Sequence, residues 1–278
     1  GAKLKVVVTP MNVNNVAGAA ASYTVEEVVR EGYDNPGASK AEAVLGNGIN
    51  VYLAGDSTVK DYSGKGMNQS NNSTEGSWGE YFQAFFNSDL VTVVNYANGG
   101  RSTRNFINEG SLDKIAETIK AGDYLFIQFG HNDGGPINTG KARGELKGNT
   151  DEKQVMRMEA SGINQGIYTY GWYIRKFCMD AIEKGATPIV MSITPSKWID
   201  KETGKFARDT RYKPWAIEAA EQTGAYFIDL NEISAAKLEK LSQEKIDAHY
   251  QRDHGHSSLE GAHRNAQSVV TGIKSLKK

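Results

Sequence analysis

Ile49-Asn50-Val51-Tyr52-Leu53-Ala54-Gly55-Asp56-Ser57-Thr58 is a short apolar run that ends on a Gly-Asp-Ser-Thr turn. It is too short for an ordinary helix, and its continuous apolar character suits a strand covered on both faces. The pattern recurs downstream. Apolar runs at residues 90–96, 124–129, 188–192 and 226–230 are separated by helical patterns at 78–86, 112–120, 168–184 and 212–222, and a last helix is expected at 259–274. Such alternation predicts parallel strands joined by right-handed crossovers, with helices on both sides of the sheet. Ser111 reads as a helix N-cap, and Gly122 and Gly185 as helix C-termini.

This organisation constrains the chemistry. The carboxyl ends of parallel strands share one edge, where open α/β sheets bind ligands. Ser57, Gly100, Asn132 and Ser196 each follow an expected strand, so topology alone delivers them to one rim. A serine hydroxyl becomes a nucleophile only when a base can take its proton. Asp253-His254-Gly255-His256 can supply that base from one tight turn: His256 accepts the proton, and Asp253 orients the ring through its other nitrogen. Asp56 reads as a partner for local backbone. Without the distant Asp-x-x-His, Ser57 would read equally well as a helix cap.

Four blocks carry a family resemblance: residues 54–58 (AGDST), 95–106 (NYANGGRSTRNF), 122–133 (GDYLFIQFGHND) and 253–262 (DHGHSSLEGA). In order and content they resemble the SGNH/GDSL hydrolases, and within them the rhamnogalacturonan acetylesterase-like carbohydrate esterases of family twelve. The resemblance runs from about residue 48 to the C-terminus. It implies a flavodoxin-like three-layer α/β/α fold with a five-stranded parallel sheet in the order 2-1-3-4-5. It also implies catalytic Ser57, Asp253 and His256, and an oxyanion hole formed by the Ser57 and Gly100 N–H groups with the Asn132 amide. The expected activity is serine-dependent removal of acetyl groups from a plant cell-wall polysaccharide, foremost pectic rhamnogalacturonan, through an acetyl-enzyme and without a cofactor. A xylan acetylesterase or a lipid or aryl-ester hydrolase could use the same groups. A non-catalytic carbohydrate-binding module is the alternative of another class.

Composition narrows the partners. With 39% hydrophobic residues the chain can fill a core, and its net charge of −1 does not advertise nucleic acid. No window approaches the roughly eighteen apolar residues of a membrane helix, so no membrane insertion is expected. The single cysteine, Cys178, lies in an apolar helical pattern and reads as a buried small hydrophobe. His249, His254, His256 and His263 crowd one stretch and invite a zinc reading. The other strand ends lack matching ligands, so no metal is expected. Trp198 is the best candidate among Trp78, Tyr170, Trp172 and Tyr212 for stacking on a sugar, with Arg101 and His131 as further substrate contacts. Arg101 and Arg104 read equally as loop anchors. Residues 134–162 read as a long substrate-facing loop, where Lys141 or Arg143 could meet a uronic acid. Residues 1–45 show no α/β alternation and are expected to be an arm, or the remnant of an upstream β-rich module, with 46–278 as the catalytic domain. Further upstream domains are a possible partner. The substrate class suggests an extracellular, cell-surface or periplasmic location.

Overall fold

The computed structural model describes residues 4–8, 21–25, 48–63, 75–250 and 253–276. The first two segments are strands β1 (Leu4–Val8) and β2 (Ala21–Val25), paired antiparallel outside the main sheet, with Leu4 opposite Val25. The apolar run Lys3–Thr9 reads in the sequence as a short strand, where β1 falls, and β2 lies in text without a legible period. The rest of the expected arm, residues 1–3, 9–20 and 26–45, lies outside the described residues.

The apolar runs become β3 (Ile49–Gly55), β4 (Val91–Asn95), β5 (Tyr124–Gln128), β8 (Thr187–Met191) and β9 (Tyr226–Ile228). Between them runs an antiparallel pair, β6 (Lys153–Arg157) and β7 (Asn164–Tyr168). The helices are α1 (Trp78–Tyr81), α2 (Thr103–Asn108), α3 (Ser111–Thr118), α4 (Tyr170–Glu183), α5 (Lys213–Thr223), α6 (Leu230–Leu238), α7 (Gln243–His249) and α8 (Leu259–Ser275). The main sheet has the order β4-β3-β5-β8-β9 and is parallel throughout, which is the expected 2-1-3-4-5 arrangement.

Alternation along each strand divides the core. Tyr52, Ala54, Leu125, Ile127 and Val190 face one side, against Ile115 of α3, Phe177 of α4 and Ala216 of α5. Val51, Leu53, Val93, Phe126 and Met191 face the other, against Trp78 of α1 and Ala262, Ala266 and Val269 of α8. Both faces are covered, which explains why the strands read as continuous apolar text. Cys178 is buried on the α4 side, and burial pushes its thiol up to about 12, as befits a packing residue.

Several local expectations need correction. The helix at 78–86 is α1 followed by a 3-10 turn, Phe82–Phe85. Gly110, at φ 75°, is the N-cap of α3, and Ser111 is its first residue. The run at 226–230 spans two elements, because Asp229 accepts the Glu232 N–H at 3.1 Å and starts α6. The loop expected at 134–162 contains β6, whose residues are largely exposed and so lack a core-facing period.

One buried bridge ties the core to the rim. Gln128, at the end of β5, donates to Thr58 Oγ1 at 2.6 Å and accepts from Trp78 Nε1 at 2.7 Å. Thr58 in turn donates to Asp56 Oδ1 from both its N–H and its hydroxyl, each at 2.8 Å. The turn that carries Ser57 is thereby fastened to the middle of the sheet. Gln128→Leu is expected to strand the Trp78 N–H, at about 1–3 kcal/mol for the group left unpaired, while the Thr58 hydroxyl keeps its bond to Asp56. Urea unfolding of the two proteins measures that loss.

Candidate active site

Ser57 sits on the turn immediately after β3, which Asp56 closes by accepting the Val59 and Lys60 N–H groups at 3.1 and 3.0 Å. The strand must end in glycine here, because a Cβ on Gly55 would collide with the Val59 side chain. The turn does not open a helix, so Ser57 is not a cap. Its hydroxyl lies 2.8 Å from His256 Nε2, and His256 Nδ1 lies 2.7 Å from Asp253 Oδ2. The second Asp253 oxygen accepts the Gly255 and His256 N–H groups, each at 2.7 Å. Partial burial pushes the Asp253 carboxyl upward, but these N–H groups and the His256 ring outweigh it and hold it down at about 2. Asp253 therefore stays ionised at any ordinary working pH.

The loop that bears His256 is fixed by hydrogen bonds from both sides. Gly76 N–H donates to Ser257 O at 3.1 Å, and Ser257 Oγ donates to Gly76 O at 3.0 Å. The neighbouring Ser77 hydroxyl donates to Lys60 O at 2.5 Å, back in the Ser57 turn. Ser258 caps α8 by accepting the Gly261 N–H at 3.1 Å. A short chain of bonds thus sets the distance between serine and histidine.

Across the site lie Gly100 and Asn132. Gly100 has φ +74°, a conformation that favours glycine. Among the described residues neither the Ser57 N–H nor the Gly100 N–H meets a protein acceptor. The Asn132 amide donates to Arg101 O at 3.2 Å and accepts from Arg143 Nη1 at 2.8 Å. One Nδ2 hydrogen of Asn132 remains for a ligand. The Ser57 and Gly100 N–H groups and the Asn132 amide thus each keep a hydrogen without a protein acceptor among the described residues, the kind of donor able to hold the oxyanion of an acyl-transfer intermediate.

The remaining sequence candidates divide between anchoring and open surface. Arg101 is bound by Glu109 at 2.8 Å and donates to Gly99 O at 2.9 Å. Arg104 is buried and donates to the carbonyls of Ile137, Ala142 and Gly144, so it gathers the loop after Asn132. His131 Nε2 bonds Thr194 Oγ1 at 3.1 Å while the residue lines a cavity. Trp198 is 60% exposed and stacks on His254, two residues before His256. Trp78, Tyr170 and Tyr212 are buried, and Trp172 stacks on Tyr168.

The clustered histidines face different surroundings. His249 is buried with neither ring nitrogen bonded among the described residues, and burial, aided by Arg264, pulls it down to about 3. His263 stands beside Arg264 in the amphipathic pattern of the last helix, which predicts a solvated face, and it packs instead against Tyr81 and Phe85. Among the described residues no three metal-ligating side chains converge.

Two features were not read from the sequence. A cavity of about 430 Å3 opens beside Asn132, lined by His131, Lys141, Arg143 and Arg211 and, among the described residues, by no carboxylate. Arg211 arrives from the loop before α5, and no local pattern announces it. Beneath this loop Asp133 and Glu145 form a buried carboxyl pair. Asp133 Oδ1 accepts the Thr103 N–H at 2.9 Å, and Glu145 Oε2 accepts the Thr103 hydroxyl at 3.0 Å. Their remaining oxygens have no other partner among the described residues, so a proton shared between the carboxyls satisfies both. Burial, and then the Asp133 charge, raise Glu145 well above the usual carboxylate range.

The fold is a three-layer α/β/α hydrolase fold, with Ser57, His256 and Asp253 hydrogen-bonded in series where its first core strand ends. Residues 53–264 match the GDSL-like lipase/acylhydrolase family, and the chain belongs to it. It is 34% identical over 225 residues to a rhamnogalacturonan acetylesterase of Emericella nidulans, covering 80% of this chain and 84% of that relative. It is 31% identical over 243 residues to the rhamnogalacturonan acetylesterase RhgT of Bacillus subtilis, covering 82% and 90% of the two chains. The crystal structure of the Bacillus subtilis protein YxiM superposes with a TM-score of 0.65 at 24% identity, over 83% of this chain and 57% of that one.

The carboxyl pair has a pH signature. A raised Glu145 keeps its proton in the folded chain after the unfolded chain has released it near the usual carboxylate value. The pair's stabilisation is therefore complete below that value and declines as pH rises toward the folded one. Glu145→Gln supplies a permanent donor to Asp133, so its melting temperature is expected to fall less than the wild type's between pH 5 and pH 9. Thermal melts across that range test this.

Proposed function

We propose that this chain is a serine esterase that removes acetyl groups from an acidic cell-wall polysaccharide, with pectic rhamnogalacturonan as its substrate. The relay from Ser57 through His256 to Asp253, beside three N–H donors, is the observation that carries the reading. Ser57 Oγ attacks the acetyl carbonyl as His256 Nε2 takes its proton. The Ser57 and Gly100 N–H groups and the Asn132 amide receive the oxyanion. Collapse expels the sugar oxygen, which takes the proton from His256. A water, deprotonated by His256, then attacks the acetyl group on Ser57, and acetate leaves with the serine hydroxyl restored. Asp253 holds the ring and stabilises the imidazolium in both halves.

The names of the relatives favour a rhamnogalacturonan substrate, and the cavity gives that choice a physical basis. Arg143 is committed to Asn132, so Lys141 and Arg211, whose ion pair with Asp209 is long at 3.9 Å, are left to meet a uronate carboxylate. Trp198 offers an exposed face for a sugar ring on the His254 side.

Ser57→Ala is expected to lower acetate release by about 10⁴-fold or more and to abolish fluorophosphonate labelling. The melting temperature should change little, because the hydroxyl makes one described bond. Unlabelled wild-type protein would point instead to a non-catalytic binding module. For the substrate, the wild-type chain is expected to prefer acetylated rhamnogalacturonan over its carboxyl-reduced form. In the double variant Lys141→Ala, Arg211→Ala that kcat/KM preference should shrink by about tenfold, the worth of one charge-assisted hydrogen bond. Equal rates of acetate release from reduced, unreduced and xylan substrates by the wild type would favour a neutral glycan.

A further inference from the structure

Asn132 can act on an oxyanion only if its amide nitrogen, and not its oxygen, is turned toward the substrate. Two neighbours decide this. A guanidinium only donates and a backbone carbonyl only accepts, so Arg143 at 2.8 Å from Oδ1 and Arg101 O at 3.2 Å from Nδ2 permit one orientation of the amide. The same guanidinium backs the second donor. A Cβ built on Gly100 would come within 2.5 Å of Arg143 Nη2 and 3.1 Å of Cζ, so the charged group lies directly against that turn.

Arg143 is itself held in place. Buried Arg104 takes the carbonyls of Ala142 and Gly144, the residues on either side of it. Gly144 N–H also donates to Pro136 O at 2.9 Å. Ala142 has φ 44°, a left-handed conformation uncommon for a residue with a side chain. Strain of this kind persists only where the surroundings over-determine the backbone, and it tends to collect at functional sites. One arginine grips the loop, and the next presents its side chain to Asn132 and Gly100.

We propose that Arg143 is a positioning residue of the oxyanion hole: it sets the direction of the Asn132 amide and places a positive charge behind Asn132 and Gly100. A cation bonded to an amide oxygen draws electron density from the nitrogen and strengthens its N–H as a donor. The acetyl carbonyl is neutral in the ground state and anionic in the transition state, so the effect falls on kcat and not on KM. This inference rests on the esterase reading above.

The test uses the full chain and a small neutral aryl acetate, which leaves any uronate contact out of the measurement. Arg143→Ala is expected to lower kcat by about 10–100-fold with KM within about twofold. In an Asn132→Ala background the same substitution should cost less than about threefold, because the group it orients is gone and only the charge behind Gly100 remains. Arg143→Lys, available should the alanine variant fail to fold, is expected to recover only part of the rate, since an ammonium lacks the planar fork. Equal losses in both backgrounds, full recovery by lysine, or an effect confined to KM would overturn the inference while leaving the esterase reading intact. Absence of wild-type turnover would overturn both.

Discussion

Ser57 Oγ and His256 Nε2 are separated by 199 residues of chain and lie 2.8 Å apart. Neither local propensity nor the two turns can set that distance. It follows from a sheet that ends β3 at the rim and from α8, which packs against α1 on one face of that sheet. The Gly76–Ser257 pairing and the Ser77 bond to Lys60 O then join the histidine loop to the serine turn. A serine–histidine bond is useful only over a few tenths of an ångström, so this lattice must be rigid. Gln128 adds to that rigidity from within the core by holding Thr58, next to the serine.

The opposite side of the site is built differently. There a long connection has to place Asn132 and Arg143 without regular structure of its own beneath them. Buried polar groups supply the order: Arg104 collects three carbonyls, and Thr103 bonds Asp133 and Glu145. Polar networks buried in this way are costly when incomplete, and when satisfied they specify one conformation. The result is a rim with a relay on one side and fixed donors on the other, with a cation-lined cavity beyond the donors. Trp198, exposed, stacks on His254 in the loop of the relay. An extended glycan could lie across such an arrangement with its acetyl group at Ser57.

The core strands and the serine and histidine turns could be read in advance because each depends on short-range pattern, whereas the strand order followed from the family resemblance. Continuous apolar runs mark strands covered on both faces, and Gly55-Asp56-Ser57 and Asp253–His256 are turns whose chemistry is carried by adjacent residues. Asp253 needs only its own loop to bond His256 and the Gly255 N–H. The β6–β7 hairpin escaped reading because its exposed residues need no period. α6 was hidden because β9 runs into it with only Asp229 between.

Tertiary structure alone decided the rest. Arg101, Arg104 and Arg143 look alike in sequence, yet one pairs with Glu109, one is buried on carbonyls and one bonds Asn132. Asp133 stands beside Asn132 in a motif, but its partner Glu145 arrives only when the loop folds back. Arg211 joins the cavity from the loop before α5. Short-range pattern determines which segments are strands and turns, since burial period and backbone conformation are local properties. Which charge meets which acceptor depends on distances between segments far apart in the chain, and packing sets those distances.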